Sequence, residues 1–143
     1  MNKNKSSTET VKKALSETTR AISKKSDLNV NFESETYKHD QTNVQLSRIS
    51  NKKTQNEILN ARGESDAQAL FIRYHDKKID QKYAPQGDIA LNFFNEMEQA
   101  RCEAIGGIIY PGAAKNIENN VEKKSKKFFE NSEPNKKFPL QDS

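Results

Sequence analysis

The chain has 143 residues, of which 32% are hydrophobic and 31% charged, and its mean hydropathy is −1.03. This length allows one domain with tails. The apolar fraction lies below the roughly 45–50% of an ordinary globular domain, so the core is small and part of the chain does not join it. The formal net charge is +4, but lysines and glutamates are mixed along the chain, which favours a solvated surface over a nucleic-acid-binding face.

The single cysteine, Cys102, excludes a disulfide within the chain, and with only His39 and His75 it makes a Cys/His zinc site improbable. No segment approaches the roughly 20 apolar residues of a membrane helix. The basic first five residues are followed by no apolar segment of the kind found in a secretory signal. We therefore expect a cytoplasmic protein without membrane contact.

The first third of the chain predicts one helix and two strands. Residues 1–7 are polar and predict a disordered lead, and apolar residues then recur every three or four positions over residues 8–24, which predicts an amphipathic helix. Apolar and polar residues alternate in residues 28–33 and again from residue 43 to residue 49. These two segments either pair as a hairpin with a long connection or are merely extended.

The rest of the chain predicts helices. Thr54 and Glu57 have the spacing of a capping box, and the helical pattern continues to about Lys82. Gly63 lies inside this helix, which indicates a kink or the close approach of another backbone. A turn over residues 84–88 precedes the next helix, which Asp88 is predicted to cap.

This next helix, residues 89–105, has an apolar side that we expect to face the core, formed by Ile89, Phe93, Met97, Ala100 and Ala104. Gly106 and Gly107 are predicted to end it. Pro111 suits the first turn of a fourth helix, and residues 131–143 predict a flexible tail. The fold class is therefore α+β, mostly α: three or four packed helices with a small two-stranded β element and disordered tails.

Charged residues of the central region are the candidates for function. Arg62 and Asp66 are four residues apart and Glu98 and Arg101 three apart, so each pair can meet on one helix face. His75 and Asp76 point about 100° apart on a helix, so we expect His75 to reach Asp partners on neighbouring helices instead. The predicted network, internal or at a partner surface, contains Arg62, Glu64, Asp66, His75, Asp76, Glu98, Arg101 and Glu103.

Catalysis by this chain is not expected. The sequence has no phosphate-binding loop of the Gly-x-x-x-x-Gly-Lys-Ser/Thr type and no Gly-x-Ser-x-Gly elbow. A lone cysteine such as Cys102 is typical of a small buried hydrophobic residue. We predict no catalytic residue, no metal ligand and no cofactor bound by this chain.

Ordered motifs run through the central region. They are Arg62-Gly63-Glu64-Ser65-Asp66-Ala67, His75-Asp76, Ala84-Pro85, Glu98-Gln99-Ala100-Arg101, Glu103-Ala104-Ile105-Gly106 and Ala114-Lys115-Asn116. With these motifs the chain resembles the N-terminal region of the CobT subunit of aerobic cobaltochelatase. The resemblance covers about three quarters of the chain and suggests a helical domain over residues 8–130. Family members continue into a C-terminal von Willebrand A-type domain, which this sequence does not contain.

The resemblance implies a part in the biosynthesis of cobalamin (vitamin B12). In that family a large subunit holds the corrin ring and the metal, and an AAA+ subunit hydrolyses ATP. The CobT-type subunit couples the two, and the complex uses ATP and Mg²⁺ to insert Co²⁺ into hydrogenobyrinic acid a,c-diamide. The expected partners are therefore these two chelatase subunits, and the expected role is assembly.

Two other classes of function remain open from the residues alone. A small basic nucleic-acid-binding or protein-interaction module would use the lysines at positions 123–127. An enzyme would use His75 with nearby carboxylates and would titrate near neutral pH.

Overall fold

The computed structural model describes residues 3–33 and 41–132. Within these ranges the elements are, in order, α1 (Lys3–Ser23), β1 (Asn29–Asn31), β2 (Asn43–Gln45), α2 (Gln55–Tyr74), α3 (Lys77–Tyr83), α4 (Asp88–Ile109) and α5 (Pro111–Asn131). The predicted class, mostly helical with a small two-stranded β element, is confirmed. Most of the tail predicted for residues 131–143 lies outside the described residues, as does His39.

Helix α2 is the centre of the fold, because α1, α4 and α5 all pack against it. One apolar cluster joins α1, the strands and α2, and includes Leu15, Leu28, Val44 and Leu46. Helix α1 begins at Lys3, five residues before the start predicted at residue 8. No proline or glycine interrupts these residues, and Thr8 is buried.

The two strands pair in parallel, with Val30 opposite Val44. The hairpin alternative is therefore wrong, although both segments do alternate as predicted and bury Leu28 and Leu46. Helix α2 supports the second strand through Gln68, whose side-chain amide donates to the carbonyl of Gln45 at 2.8 Å. The sequence of the strands does not indicate whether they pair in parallel, because apolar and polar residues alternate in both parallel and antiparallel pairs.

The start of α2 agrees with the prediction. Thr54 and Glu57 form the capping box, with the backbone N–H of Glu57 donating to the Thr54 hydroxyl and the Glu57 carboxylate accepting from the backbone N–H of Thr54. Gly63 marks a close approach: a Cβ there would lie 2.6 Å from the Cβ of Asn120 and 2.9 Å from the carbonyl oxygen of Asn116. Glycine therefore lets α5 cross α2 closely.

The prediction of one helix reaching Lys82 is wrong, because the chain leaves the helical conformation at His75 and restarts at Lys77. His75 is extended, with φ −69° and ψ 134°. Asp76 caps the new helix by accepting from the backbone N–H of Lys78 at 2.9 Å. Because the Asp76 side chain accepts a hydrogen bond from the first turn of the next helix, breaking the helix here costs little free energy.

Helix α4 faces the opposite way from the prediction. Its buried residues are Glu98, Cys102 and Gly106, spaced four apart, whereas Ile89 and Phe93 are 77% and 69% exposed. The helix also continues through both glycines to Ile109, and Gly87 rather than Asp88 is its N-cap. The buried side of α4 is the side that packs closely against α2, because Leu70 of α2 occupies the space that a side chain at position 106 would fill.

Candidate functional site

Five side chains, from α3, from α4 and from the break between α2 and α3, form what we call the His75 cluster: His75, Asp80, Glu98, Arg101 and Cys102. The Glu98 carboxylate lies at its centre, with its side chain 6% exposed. It accepts from both Nε and Nη2 of Arg101, and its Oε1 lies 3.1 Å from Nδ1 of His75. A buried carboxylate is stable only with such partners.

The arginine determines the charge state at the centre. Its hydrogen bonds, against the opposing effect of burial, lower the pKa of Glu98 to about 2. The same bonds raise the pKa of Arg101. Arg101 also donates through Nη2 to the carbonyl of Tyr74 at 3.1 Å, and so satisfies an acceptor in the last turn of α2. The pair is therefore ionised at neutral pH, and it fastens α4 to the end of α2.

His75 lies between two carboxylates. Its Nδ1 contacts Glu98, and its Nε2 lies 3.0 Å from Oδ2 of Asp80 in α3. Since a carboxylate only accepts, both contacts are hydrogen bonds only when the ring carries two protons. The ring also stacks on Phe71, with centroids 4.5 Å apart. His75 therefore contacts one aspartate, as predicted, and also Glu98, and it links the end of α2 to α3 and α4.

Cys102 is a packing residue within the cluster. Its thiol is fully buried, and its Sγ lies 3.7 Å from Oε1 of Glu98. Burial, together with the neighbouring Glu98 charge, raises the pKa of the thiol to about 12. A nucleophilic cysteine needs a lowered pKa and access to solvent. The interpretation of Cys102 as a small buried hydrophobic residue agrees with this environment.

Two further predicted residues are buried on other sides of α2. Both carboxylate oxygens of Glu64 accept from Ser47, one from its backbone N–H at 2.8 Å and one from its hydroxyl at 2.6 Å. Asp66 accepts from the side-chain amide of Asn116 in α5 at 2.8 Å, and burial raises its pKa. Glu64 thus holds the chain after β2, and Asp66 holds α5.

The predicted Arg62–Asp66 ion pair is not formed among the described residues. Arg62 is exposed and influences Asp66 only through its charge, while Asn116 makes the direct contact. Asp76 is likewise exposed and acts as the cap of α3. Glu103 accepts from Gln99 at 2.6 Å, and burial raises the pKa of its carboxyl.

The predicted set therefore divides into separate groups. Only His75, Glu98 and Arg101 meet in one cluster, and the others serve individual contacts of α2, α3 and α4. Sequence reasoning missed Asp80, which joins the cluster because the chain breaks at His75, and it missed Asn116, which replaces Arg62 as the partner of Asp66. Spacing on one helix could not find either, since each comes from a different helix.

The chemistry that this arrangement can perform is limited. Both ring nitrogens of His75 are engaged, and the thiol of Cys102 is buried and neutral. Within residues 3–33 and 41–132, no three His, Cys, Asp or Glu side chains are grouped so as to hold a metal ion. The cluster orients helices and offers no free acid, base or nucleophile of its own.

One comparison with known proteins decides the family. The family model described as cobalamin biosynthesis protein CobT matches residues 5–143. The chain belongs to the CobT family. No solved structure matches it.

Membership of the CobT family links the chain to cobalamin biosynthesis. The family match extends over the His75 cluster and over the contacts that surround α2. In the part of the CobT-family chain that the structure describes, no helix combines the length and apolar character of a membrane span.

Proposed function

We propose that this CobT-family chain is an assembly part of an ATP-dependent cobaltochelatase. The complex would insert its substrate metal, Co²⁺, into hydrogenobyrinic acid a,c-diamide, and this chain would contribute binding surfaces and no reacting group. The observation that carries the proposal is the family match over residues 5–143. The partners are an AAA+ subunit, which would bind ATP and Mg²⁺, and a large subunit, which would hold the corrin ring.

The arrangement of charge supports a role in assembly. Glu98 and Arg101 pair within α4, and their further contacts with His75 and with the Tyr74 carbonyl, together with that of His75 with Asp80, hold α2, α3 and α4 in fixed relation. A firmly oriented set of helices presents a defined surface to a partner at low entropic cost. The same contacts leave His75 and Cys102 without the access that chemistry requires.

Co-purification tests the proposal directly. We expect this chain and the AAA+ chelatase subunit to form a complex of fixed stoichiometry in native mass spectrometry, with ATP present or absent as the variable. Adding the large subunit, Co²⁺ and the corrin diamide should give cobalt insertion, measured by the change in corrin absorbance. Omission of this chain should abolish that signal, and failure of the chain to bind either subunit would refute the proposal.

Two substitutions separate assembly from catalysis. Cys102→Ser and His75→Gln remove the two side chains with the most obvious chemical potential. In an assembly role, the insertion rate of each variant follows the fraction of complex formed, so rate per complex is unchanged. A variant that forms the complete complex yet loses insertion more than about 100-fold would assign that side chain to catalysis instead.

A further inference from the structure

Helix α4 carries an apolar stripe that no part of the described structure covers. Ile89, Phe93 and Met97 are 77%, 69% and 71% exposed, and they follow one another every four residues on one face. Contiguous apolar surface of this kind on a monomer marks a contact site. Its surroundings are acidic: Asp88 and Glu96 lie in the same half of the helix, and no basic residue lies between them.

The last turns of α5 carry the opposite combination. Val121, Phe128 and Phe129 are 57%, 67% and 72% exposed. Lysines occupy positions 123, 124, 126 and 127 among them, and they outnumber the two glutamates of this segment, Glu122 and Glu130. This half of α5 is exposed at nearly every position, and the amine of Lys123 reaches back to Asn56 at the start of α2.

The two surfaces lie at opposite ends of α2. The end of α5 approaches α2 at Asn56, whereas the acidic half of α4 leaves α2 at the contact between Glu98 and His75. Nineteen helical steps between Asn56 and His75, at about 1.5 Å each, place these points roughly 28 Å apart. The acidic apolar stripe therefore cannot meet the basic apolar helix end of its own chain.

We propose that the α4 stripe of one copy binds the α5 end of a second copy. Phenylalanine and aliphatic side chains fill the centre of the contact, and Asp88 and Glu96 face the lysines of α5 at its rim. Opposite charges at the rim of an apolar contact steer the partners and fix their orientation. An isologous pairing of two α4 stripes is disfavoured because it brings only acidic side chains to that rim.

The exposed area fits a weak but specific contact. An enclosed phenylalanine buries about 150–250 Å², so Phe93, Phe128 and Phe129, each 67–72% exposed, together offer roughly 300–500 Å². With the aliphatic neighbours and the charged rim, the total approaches the roughly 1,000 Å² of a small biological interface. We expect a dissociation constant between about 10 µM and 1 mM.

The symmetry of the contact has a consequence for assembly. Two copies that make the contact twice, each α4 stripe meeting the other copy's α5 end, form a closed dimer. Where a pair makes the contact only once, each copy keeps one free surface, and association continues to a ring or an open chain.

Sedimentation velocity on the full chain tests this. Wild-type protein should form dimers or larger species as its concentration rises, and added salt should weaken them because the rim charges are exposed. Phe93→Ser disables the stripe and Phe128→Ser disables the α5 end. Both positions are exposed, so neither substitution should affect folding, and circular dichroism checks this. Each variant alone should associate at least about tenfold more weakly than the wild type.

The mixture of the two variants is the decisive experiment. Phe93→Ser retains a sound α5 end and Phe128→Ser a sound stripe, so an equimolar mixture should give a one-to-one dimer and nothing larger. Lys124→Glu should weaken association of the wild type, whereas Lys13→Glu, the same change at an exposed position on α1, should not. Normal self-association of Phe128→Ser would identify an α4–α4 pairing and overturn the proposal, as would a wild-type protein that stays monomeric up to about 1 mM.

Discussion

Glu98 is the residue whose loss the structure predicts most sharply. Glu98→Gln keeps the size of the side chain and its acceptor oxygen but removes the charge that Arg101 and His75 share. The ordinary pKa of 4.5 falls to about 2 in the folded protein, and each unit is worth about 1.4 kcal/mol. The upper limit is therefore about 3 kcal/mol. Because Arg101 is 39% exposed, solvent weakens the pair, and we expect a loss of about 2 kcal/mol.

The pH dependence follows from the sign of this shift. A carboxyl whose pKa is lowered by folding stabilises the protein fully above its unfolded pKa of 4.5, and this contribution disappears as the pH falls towards 2. The contribution of the Glu98 carboxyl to the difference in unfolding free energy between wild type and Glu98→Gln should thus be fully present well above pH 4.5. It should shrink progressively below pH 4.5.

Urea unfolding followed by circular dichroism measures both quantities. Glu118→Gln, an exposed carboxylate on α5, is the matched control and should change the unfolding free energy by less than about 0.5 kcal/mol. The reasoning fails if Glu98→Gln is as stable as wild type at pH 7. It also fails if the difference between the two proteins is the same at pH 3 as at pH 7, since a charge interaction cannot survive protonation of the carboxylate.

Three further outcomes are expected. Gly63→Ala should lower the free energy of unfolding in urea by about 1–3 kcal/mol, since its methyl group would collide with α5. Gly112→Ala is the control, because open space surrounds that position, and it should not lower the free energy of unfolding. Equal stability of the two variants would contradict the close approach of α5 to α2. Cys102, whose pKa is raised to about 12, should react with iodoacetamide at pH 8 only as fast as the protein opens, and labelling at the rate of a free thiol would place it at the surface. His75→Ala should remove hydrogen-exchange protection from residues 77–83 and leave that of α1 intact, and retained protection would mean that the ring does not anchor α3.

The sequence predicted a contact within one helix of the candidate site but not the contacts between distant segments. The Glu98–Arg101 pair is a contact within one helix, so the spacing of three residues was sufficient to find it. The sequence did not predict the contact of Asp80 with His75, because it depends on the helix break at His75, which turns α3 towards the imidazole ring. Arg62 was wrongly paired with Asp66, because the side chain of Asn116 comes from a helix fifty residues later in the chain.

The features that the amino-acid sequence determines by itself depend on interactions between residues that are close together in the chain. The capping box of α2 involves residues three apart, and the alternation around the strands reflects a two-residue period. Gly63 indicated a kink or a close approach, and only the contact with α5 decided between them. The chain also carries the motifs that place it in the CobT family. The capping box, the alternation and the motifs each depend on neighbours in the chain.

Only the tertiary structure decided which side of α4 is buried and which way the strands run. By hydrophobicity alone, Ile89 and Phe93 should face α2, but the fold buries Glu98, Cys102 and Gly106 instead. Burying the glutamate is acceptable because Arg101 on the same helix and His75 at the end of α2 supply its hydrogen bonds, and the small residues admit the side chains of α2. The contacts with His75 and with the α2 side chains exist only once distant segments meet, so no window of the sequence contains them.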